Sequence, residues 1–179
     1  MIIAETERLR LRHFRTADAE AMVRVLGDAD VMRFGSGVRS PGDVRRWIVR
    51  EVTDRYPAWG FGKWAVVERA SDEVIGYCGL AAFNDRCLPG ETEIGYRLAK
   101  SHWGNGYATE ATRAVRDYAF AILELPRLIA VIDPENTASL RVAEKLGMSY
   151  VRDVMMEGWS HPDHVYAIDR APVTGGGNR

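Results

Sequence analysis

The sequence predicts an α+β fold, a single domain in which a mixed, mostly antiparallel sheet is flanked by helices. Three observations indicate this class. The chain has 179 residues, close to the length of one typical domain of about 150 residues. Apolar residues recur with a period of two in some segments and at spacings of three and four in others. They make up 46% of the chain, so a core of ordinary size can form without metal or disulfide bonds.

The composition excludes several classes of function. The chain has 24 basic and 25 acidic residues and a formal net charge of −1, whereas nucleic-acid-binding domains normally show a basic excess. The longest apolar run, Tyr118–Leu123, is far shorter than the ~20 residues that cross a bilayer, and the N-terminus lacks the apolar stretch of a signal peptide. We therefore expect a cytoplasmic protein without nucleic-acid or membrane partners, either a monomer or a homodimer.

The cysteines and histidines predict neither a disulfide framework nor a metal site. Cys78 and Cys87 form no CxxC pair, and Cys78 lies in an apolar strand pattern, so we expect it in the core. His161 and His164 flank a Pro-Asp pair. We interpret this segment as a turn that leads into the last strand.

The first half of the chain predicts a strand, two helices and a meander. Leucines alternate with arginines over residues 9–13, as in a half-exposed strand. We expect Thr16 to cap a helix that reaches Leu26, and Ser40, which a proline follows, to cap a second helix ending near Tyr56. Three segments rich in β-branched and aromatic residues predict antiparallel strands: Lys63–Glu68, Val74–Phe83 and Thr92–Leu98.

The second half predicts alternating helices and strands. After Gly106, apolar spacings of three and four indicate an amphipathic helix that Pro126 ends. A buried strand over residues 128–132, a helix from Asn136 to Leu146 and two strands near 148–153 and 165–169 complete the domain. We expect about seven strands and about four helices within residues 1–171, followed by a disordered glycine-rich tail over 172–179.

The segment Trp103–Thr109 is the strongest indication of function. Gly104 and Gly106 precede a long helix, where free N–H groups and the positive end of the helix dipole favour a bound phosphate. An NTP-binding P-loop would need Lys and Ser/Thr where Tyr107 and Ala108 stand. A dinucleotide-binding fingerprint would need a third small residue and a later acid, and neither is present.

The hexapeptide 103–108, Trp-Gly-Asn-Gly-Tyr-Ala, resembles the acetyl-CoA loop Gln/Arg-x-x-Gly-x-Gly/Ala of the GNAT acyltransferases. Its extension to Ala111 is similar to the RimJ/RimL-like branch, the N-terminal acetyltransferases of ribosomal proteins. Other matches follow in the family's order between residues 5 and 170. They are Glu-Thr-Glu-Arg-Leu-x-Leu-Arg from residue 5, Val74–Leu80, Glu93–Tyr96, Asn136-x-x-Ser139 and Glu144–Met148.

This resemblance implies an N-acetyltransferase that moves the acetyl group of acetyl-CoA directly to a primary amine in a ternary complex. The acceptor would be a peptide N-terminus, an amino sugar or another small-molecule amine, and no metal is expected. The strand 92–98 would bulge at Gly95 and splay from the strand 128–132 to admit the pantetheine arm. Contacts to acetyl-CoA are expected from Ile94, Tyr96, Leu98, Trp103, Gly104, Asn105, Gly106, Tyr107, Ala108, Thr109, Asn136 and Ser139.

The resemblance also suggests catalytic roles. Glu93 is the carboxylate best placed to draw a proton from the amine, although it can equally be a solvated strand residue. Ala143 stands where many family members carry a tyrosine that protonates the CoA thiolate, which leaves Ser139 as the candidate acid or as an acetyl-CoA contact. Asn136 is expected to hold the pantetheine or a water, while helix capping alone would also explain it. The absent tyrosine keeps a non-catalytic CoA-binding sensor or partner module as an alternative function.

In the family, the acceptor enters between the first two helices and the last two strands. Here these segments are residues 30–39 and 155–164, and Met155, Met156 and Trp159 are candidates to line the cleft. Charged residues of both signs occur there: Arg33, Arg39, Glu157 and Asp163. The charge of the acceptor therefore stays open.

Overall fold

The computed structural model describes residues 1–83, 88–156 and 158–172. Cys87, Glu157 and the predicted tail beyond Pro172 lie outside these residues. The strands are β1 (Ile2–Glu5), β2 (Leu9–Arg12), β3 (Lys63–Glu68), β4 (Val74–Ala82), β5 (Thr92–Leu98), β6 (Arg127–Ile132), β7 (Ser149–Val154) and β8 (Asp163–Asp169). The helices are α1 (Ala19–Leu26), α2 (Pro41–Arg50), α3 (Tyr56–Trp59), α4 (Tyr107–Ala121) and α5 (Thr137–Lys145).

The eight strands of the described chain form one sheet in the order β1-β2-β3-β4-β5-β6-β8-β7. Neighbouring strands run antiparallel except β5 and β6, which are parallel. These two strands pair only at Glu93 and Ile129. They therefore separate along the rest of their length, and the α+β class and the splay are both confirmed.

Helices cover both faces of the sheet. Trp64 and Ile94 belong to a core that includes residues of α4 and α5, whereas Ala65 packs with the buried side of α1 and α2. Because successive residues of a strand point to opposite faces, odd and even positions of β3 and β5 serve different layers. In the described residues, no helix is long and apolar enough to span a membrane.

The structure adds a strand to the predicted seven. β1 pairs antiparallel with β2, with an irregularity between Ile2 and Ala4. Only four residues form this strand, and Ile2 is 56% exposed. Such a short edge strand has too few positions to show an alternating pattern, so its pairing depends on the neighbouring strand.

Two predicted helix features are wrong. Thr16 is the first residue of a 3₁₀ turn, Thr16–Asp18, rather than a cap, and the Asp18 carboxylate accepts the Arg15 N–H instead. The second helix, which Ser40 caps as predicted, passes Tyr56 and ends at Trp59. A π turn over Glu51–Arg55 precedes the proline at position 57. Its wider ladder relieves the clash that a proline ring makes with an α-helical carbonyl.

The π turn places two side chains around the start of β3. Glu51 and Tyr56 are both buried although they are five residues apart. Glu51 Oε2 accepts the Lys63 N–H at 3.0 Å, and the Tyr56 hydroxyl donates to the Lys63 carbonyl at 2.6 Å. The same hydroxyl accepts the Phe14 N–H at 3.3 Å. Side chains thus replace the ladder partners that β2 no longer supplies beyond Arg12.

The expected bulge at Gly95 is also wrong. The register between β4 and β5 is continuous from Gly76–Leu98 to Ala82–Thr92. Gly95 instead accommodates a neighbouring side chain, because a Cβ atom there would lie 3.0 Å from Lys63 Nζ. The gap between β5 and β6 arises from their short pairing and not from an extra residue in β5.

Candidate active site

A cavity of about 330 Å³ lies where β5 and β6 separate. Its walls come from both layers of the domain. The connection between α1 and α2 contributes Phe34, Gly35 and Ser36. The N-cap of α5 contributes Asn136, and its first turn contributes Ser139. The gap in the sheet therefore joins the two helix layers through one continuous space.

Glu93 enters this cavity beside a buried cation. Its side chain is 24% exposed, and its Oε2 lies 3.6 Å from Nζ of Lys63, a side chain that is itself 10% exposed. Glu93 and Lys63 lie on the α1–α2 face of the sheet, because their neighbours Ile94 and Trp64 point into the opposite core. Ala65, two residues after Lys63, packs against α1 and α2. Sequence reasoning missed Lys63, since only the register of β3, β4 and β5 brings it to Glu93.

Tyr96 and Ser139 meet on the opposite face. Tyr96 follows Ile94 by two residues and packs against the same core. The hydroxyl oxygens of Tyr96 and Ser139 are 3.1 Å apart. Burial raises the pKa of Tyr96, so its hydroxyl keeps its proton at neutral pH. The cavity therefore has a carboxylate on one face and a pair of hydroxyls on the other.

Asn136 caps α5, as its alternative interpretation predicted, because its Oδ1 accepts the Ser139 N–H at 3.2 Å. Asn136 also lines the cavity, and so does the buried Ala143. Tyr96 on β5 lines the same cavity as Ala143. The sequence predicted Tyr96 as an acetyl-CoA contact, but it did not predict that the Tyr96 hydroxyl lies beside Ser139.

The glycine loop lies past the end of β5 and does not line this cavity. Gly104 and Gly106 have φ of +77° and +81°, which favour glycine, and Gly106 caps α4 without a side-chain hydrogen bond. The first-turn N–H groups of Tyr107, Ala108 and Thr109 therefore have no intrahelical partner. This backbone can bind an anion.

The side chains around the loop fix its conformation. The Trp103 indole N–H donates to the Leu98 carbonyl at 2.8 Å, and the Tyr107 hydroxyl donates to Glu68 at 2.6 Å. Arg8 donates to the carbonyl of Asn105 and lies over the ring of Tyr107. Leu98 is a core residue and does not line the cavity. Whether these predicted residues touch acetyl-CoA stays a prediction.

Cys78 is a core residue, as predicted. It is fully buried, and burial raises the pKa of its thiol to about 12. The thiolate is the nucleophilic form of cysteine. Its population at neutral pH is therefore negligible.

The predicted acceptor segments form the mouth of the cavity. Met156 and Trp159 line it, whereas Met155 is 53% exposed and does not. Arg97 Nη1 and Nη2 donate to the carbonyls of Val31 and Phe34 at 3.1 and 3.3 Å. This guanidinium, which sequence reasoning missed, ties β5 to the α1–α2 connection.

Three side chains near this mouth can hold a cation. Ligand atoms of Asp133, His161 and Asp163 lie within 4.8 Å of one another. His161 precedes β8, as predicted, and its Nε2 is 3.5 Å from Asp133 Oδ2. Asp133 and Asp163 also line the cavity.

A family model described as "Acetyltransferase (GNAT) domain" matches residues 8–149. A Bacillus subtilis relative, "Uncharacterized protein YkkB", is 37% identical over 164 residues, which cover 90% of this chain and 92% of the relative.

Solved structures share the fold. A GNAT-family acetyltransferase from Bacillus anthracis superposes with a TM-score of 0.78 at 30% identity, covering 95% of this chain and 99% of the other. RimL, described as the ribosomal L7/L12 α-N-protein acetyltransferase in complex with coenzyme A, gives a TM-score of 0.77 at 18% identity. That comparison covers 94% of this chain and 98% of RimL, and it shows the fold alone.

Proposed function

Because the chain belongs to the GNAT acetyltransferase family, we propose that its acetyl-CoA-dependent transfer takes place in the gap between β5 and β6. The product is an N-acetylated primary amine, and the acetyl group passes directly from one substrate to the other in a ternary complex. The observation that best supports this proposal is the gap between the two strands. Glu93 lies on one face of it, and Tyr96 and Ser139 lie on the other.

The acetyl-CoA substrate fits the α4–α5 side of this gap. The free N–H groups at the start of α4 suit its pyrophosphate, and the opening between β5 and β6 suits its pantetheine arm. In the described chain, β6 pairs with β5 only at Glu93, so the backbone beyond that point has no ladder partner on this side. N–H groups near Ile94 to Tyr96 are then available for the acetyl carbonyl.

Glu93 draws the proton from the acceptor's ammonium, directly or through water, because only the neutral amine is nucleophilic. A C–N bond forms and the C–S bond breaks. Ser139 donates its hydroxyl proton to the departing sulfur while it accepts one from Tyr96, and the second proton that the attacking nitrogen loses returns to Tyr96 through water. Glu93 releases the first proton to solvent. Overall, an ammonium and a thioester become an amide, a thiol and one released proton.

The acceptor is a primary amine that enters between Phe34 on one side and Met156 and Trp159 on the other. The RimJ/RimL-like loop sequence supports a peptide N-terminus, and the size of the cavity equally suits a small-molecule amine. A CoA-binding module without turnover has less support, because Tyr96 and Ser139 place hydroxyls near the position that Ala143 leaves without one.

Thiol release from acetyl-CoA, measured with a panel of alkyl amines, amino sugars and N-terminal peptides, tests the proposal. We expect amine-dependent release and a mass increase of one acetyl group on the accepted amine. Glu93→Gln should lower this activity, with Glu91→Gln as the matched control. If the chain bound CoA and acetylated no amine in the panel, the alternative of a non-catalytic module would stand.

A further inference from the structure

Two carboxylates face each other at the open end of the β6–β8 ladder. Ile132 pairs with His164 at the last position of this antiparallel register. Asp133 and Asp163 are the next pair in line. Like charges at opposite positions of a ladder are destabilising, so this arrangement has a cost that the fold alone does not explain.

Asp163 lies beside no lysine or arginine in the described chain, and the cations that act on it, His161 and His164, are charged only when protonated. It is only 4% exposed, and its Oδ1 is buried without a hydrogen bond. Burial and then the neighbouring Asp133 raise its pKa. Asp133 Oδ1 accepts the Glu135 N–H at 2.8 Å, and the ion-pair partner of its Oδ2 is His161, which is charged only when protonated.

Two cationic side chains line the cavity as well. Lys63 lies beside Glu93, and the Arg97 guanidinium donates to two backbone carbonyls. Three carboxylates, those of Glu93, Asp133 and Asp163, line the same cavity. The described lining therefore has one more acidic than basic side chain, and the two carboxylates without a lysine or arginine beside them are Asp133 and Asp163. A ligand that completes this site must bring a positive charge.

We propose that Asp133 and Asp163 form a subsite for a second cationic group of the acceptor, so that the preferred acceptor is an amine with another ammonium near the one that is acetylated. This inference rests on the proposed acetyl transfer for the identity of the reacting amine. The cation subsite itself is inferred from the contacts of Asp133 and Asp163 and does not depend on that transfer.

An organic ammonium suits the site better than Mg²⁺ or Ca²⁺. Mg²⁺ and Ca²⁺ take six or more oxygen ligands, whereas the site offers two carboxylates and an imidazole, and Asp133 Oδ1 is already bonded. Phe34, Met156 and Trp159 line the same cavity. These apolar side chains suit the carbon skeleton of an amine.

The test compares α,ω-diaminoalkanes of three to eight carbons with alkylamines of the same length, using kcat/KM for acetylation. A second arm compares peptides with lysine or norleucine at position two, which separates a small polyamine from a basic N-terminus. Calorimetry of diamine binding to the CoA-bound protein supplies a readout that needs no turnover. The variants are Asp163→Asn and Asp133→Asn, and the control is Asp169→Asn, at the other end of β8.

The wild type should favour the dicationic member of a pair by on the order of ten- to a hundred-fold, as for a hydrogen bond to a charged group. Asp163→Asn should abolish most of that preference and weaken diamine binding, and it should lower diamine turnover much more than alkylamine turnover. Asp169→Asn should keep the wild-type preference. Equal turnover of diamine and alkylamine, with binding indifferent to Asp163→Asn, would overturn the subsite. The subsite would also be overturned if Mg²⁺ or Zn²⁺ alone bound to the wild type but not to Asp163→Asn, and if diamines did not displace the metal ion. Asp163-dependent diamine binding without any acetylation would overturn the proposed transfer and support the subsite.

Discussion

The hydroxyl of Tyr96 on β5 lies 3.1 Å from the hydroxyl of Ser139 on α5, across the opening between β5 and β6. One hydroxyl comes from the strand and the other from the first turn of the helix. Both line the cavity. A proton that one hydroxyl gives up can therefore be replaced from the other.

Ser139→Ala should slow turnover at all pH values, and it should weaken acetyl-CoA binding at most about ten-fold, since one neutral hydrogen bond contributes about 0.5–1.5 kcal/mol. Tyr96→Phe should also lower kcat, and the double variant should lose little more because the two groups act as a unit. Tyr118→Phe, outside the cavity, is the control. Steady-state kinetics of the single and double variants with a confirmed acceptor measures these effects. A wild-type kcat in Tyr96→Phe would show that the thiolate takes its proton from a source other than the Tyr96–Ser139 pair.

Glu93→Gln should lower kcat chiefly at low pH, where the acceptor is most protonated and a base is most needed. A general base contributes typically 10²–10⁴-fold, and part of this loss should return at high pH, where the amine is already neutral. Glu91→Gln should change little. A pH series of kcat for both variants decides the point, and equal profiles for Glu93→Gln and the wild type would leave Glu91 or a water chain as the base.

Gly106→Val should weaken CoA binding ten-fold or more. The substitution places a β-branched residue at φ +81° and beside the N–H groups that face the pyrophosphate, and left-handed backbone costs about 1–2 kcal/mol for such residues. Gly90→Val, at φ +77° and away from the loop, controls for the backbone cost. Calorimetry with CoA on the folded variants measures the effect, and unchanged affinity in Gly106→Val would refute the loop assignment.

Cys78→Ala should retain turnover, because a thiol with a pKa of about 12 in the core is no nucleophile at neutral pH. The smaller side chain leaves a small void, so a modest loss of thermal stability is expected. Intact mass spectrometry during turnover should find no acetyl adduct on the protein. An acetylated intermediate that disappears in Cys78→Ala would replace direct transfer by a two-step mechanism.

Asp163→Asn should stabilise the unliganded protein at neutral pH. The pKa of Asp163 is raised in the folded state, so the folded protein holds this proton more tightly than the unfolded chain. Stability therefore falls as pH rises through the unfolded pKa towards the folded one. The asparagine of the variant has no carboxyl group to ionise, so the variant does not lose stability in this way. The difference in Tm between Asp163→Asn and the wild type should shrink as the pH drops below about 4, where aspartate is protonated in both states. A lower Tm for Asp163→Asn at pH 7 would mean that the carboxylate is better matched than its contacts indicate.

The period-two and period-three-to-four patterns were sufficient to predict the meander, α4 and α5, whereas the splay of the sheet was expected only from the resemblance to the GNAT acyltransferases. They were insufficient for β1, which is four residues long, and for the π turn, where the buried Glu51 and Tyr56 follow a spacing of five. A pattern of that spacing has no counterpart among the periods of regular helices and strands.

The candidate site was predictable where it lies in one segment, as in the glycine loop and in Asn136 with Ser139. Lys63 and Arg97 were not, because their neighbours depend on strand register and on the α1–α2 connection. Asp133 and Asp163 are far apart in sequence and become a pair only through the β6–β8 ladder. Their proximity is a property of the topology and not of either segment.

The π turn links the number of residues between Glu51 and Tyr56 to the position of Lys63 on the sheet. Glu51 and Tyr56 together hold both peptide groups of Lys63, the residue whose ammonium neighbours Glu93. Deleting one residue between them would restore α-helical winding and rotate Tyr56 by about 100° relative to Glu51. Lys63 would then lose one of its two supports. An insertion or deletion in this helix would therefore disturb Lys63, and through Lys63 the surroundings of the Glu93 carboxylate.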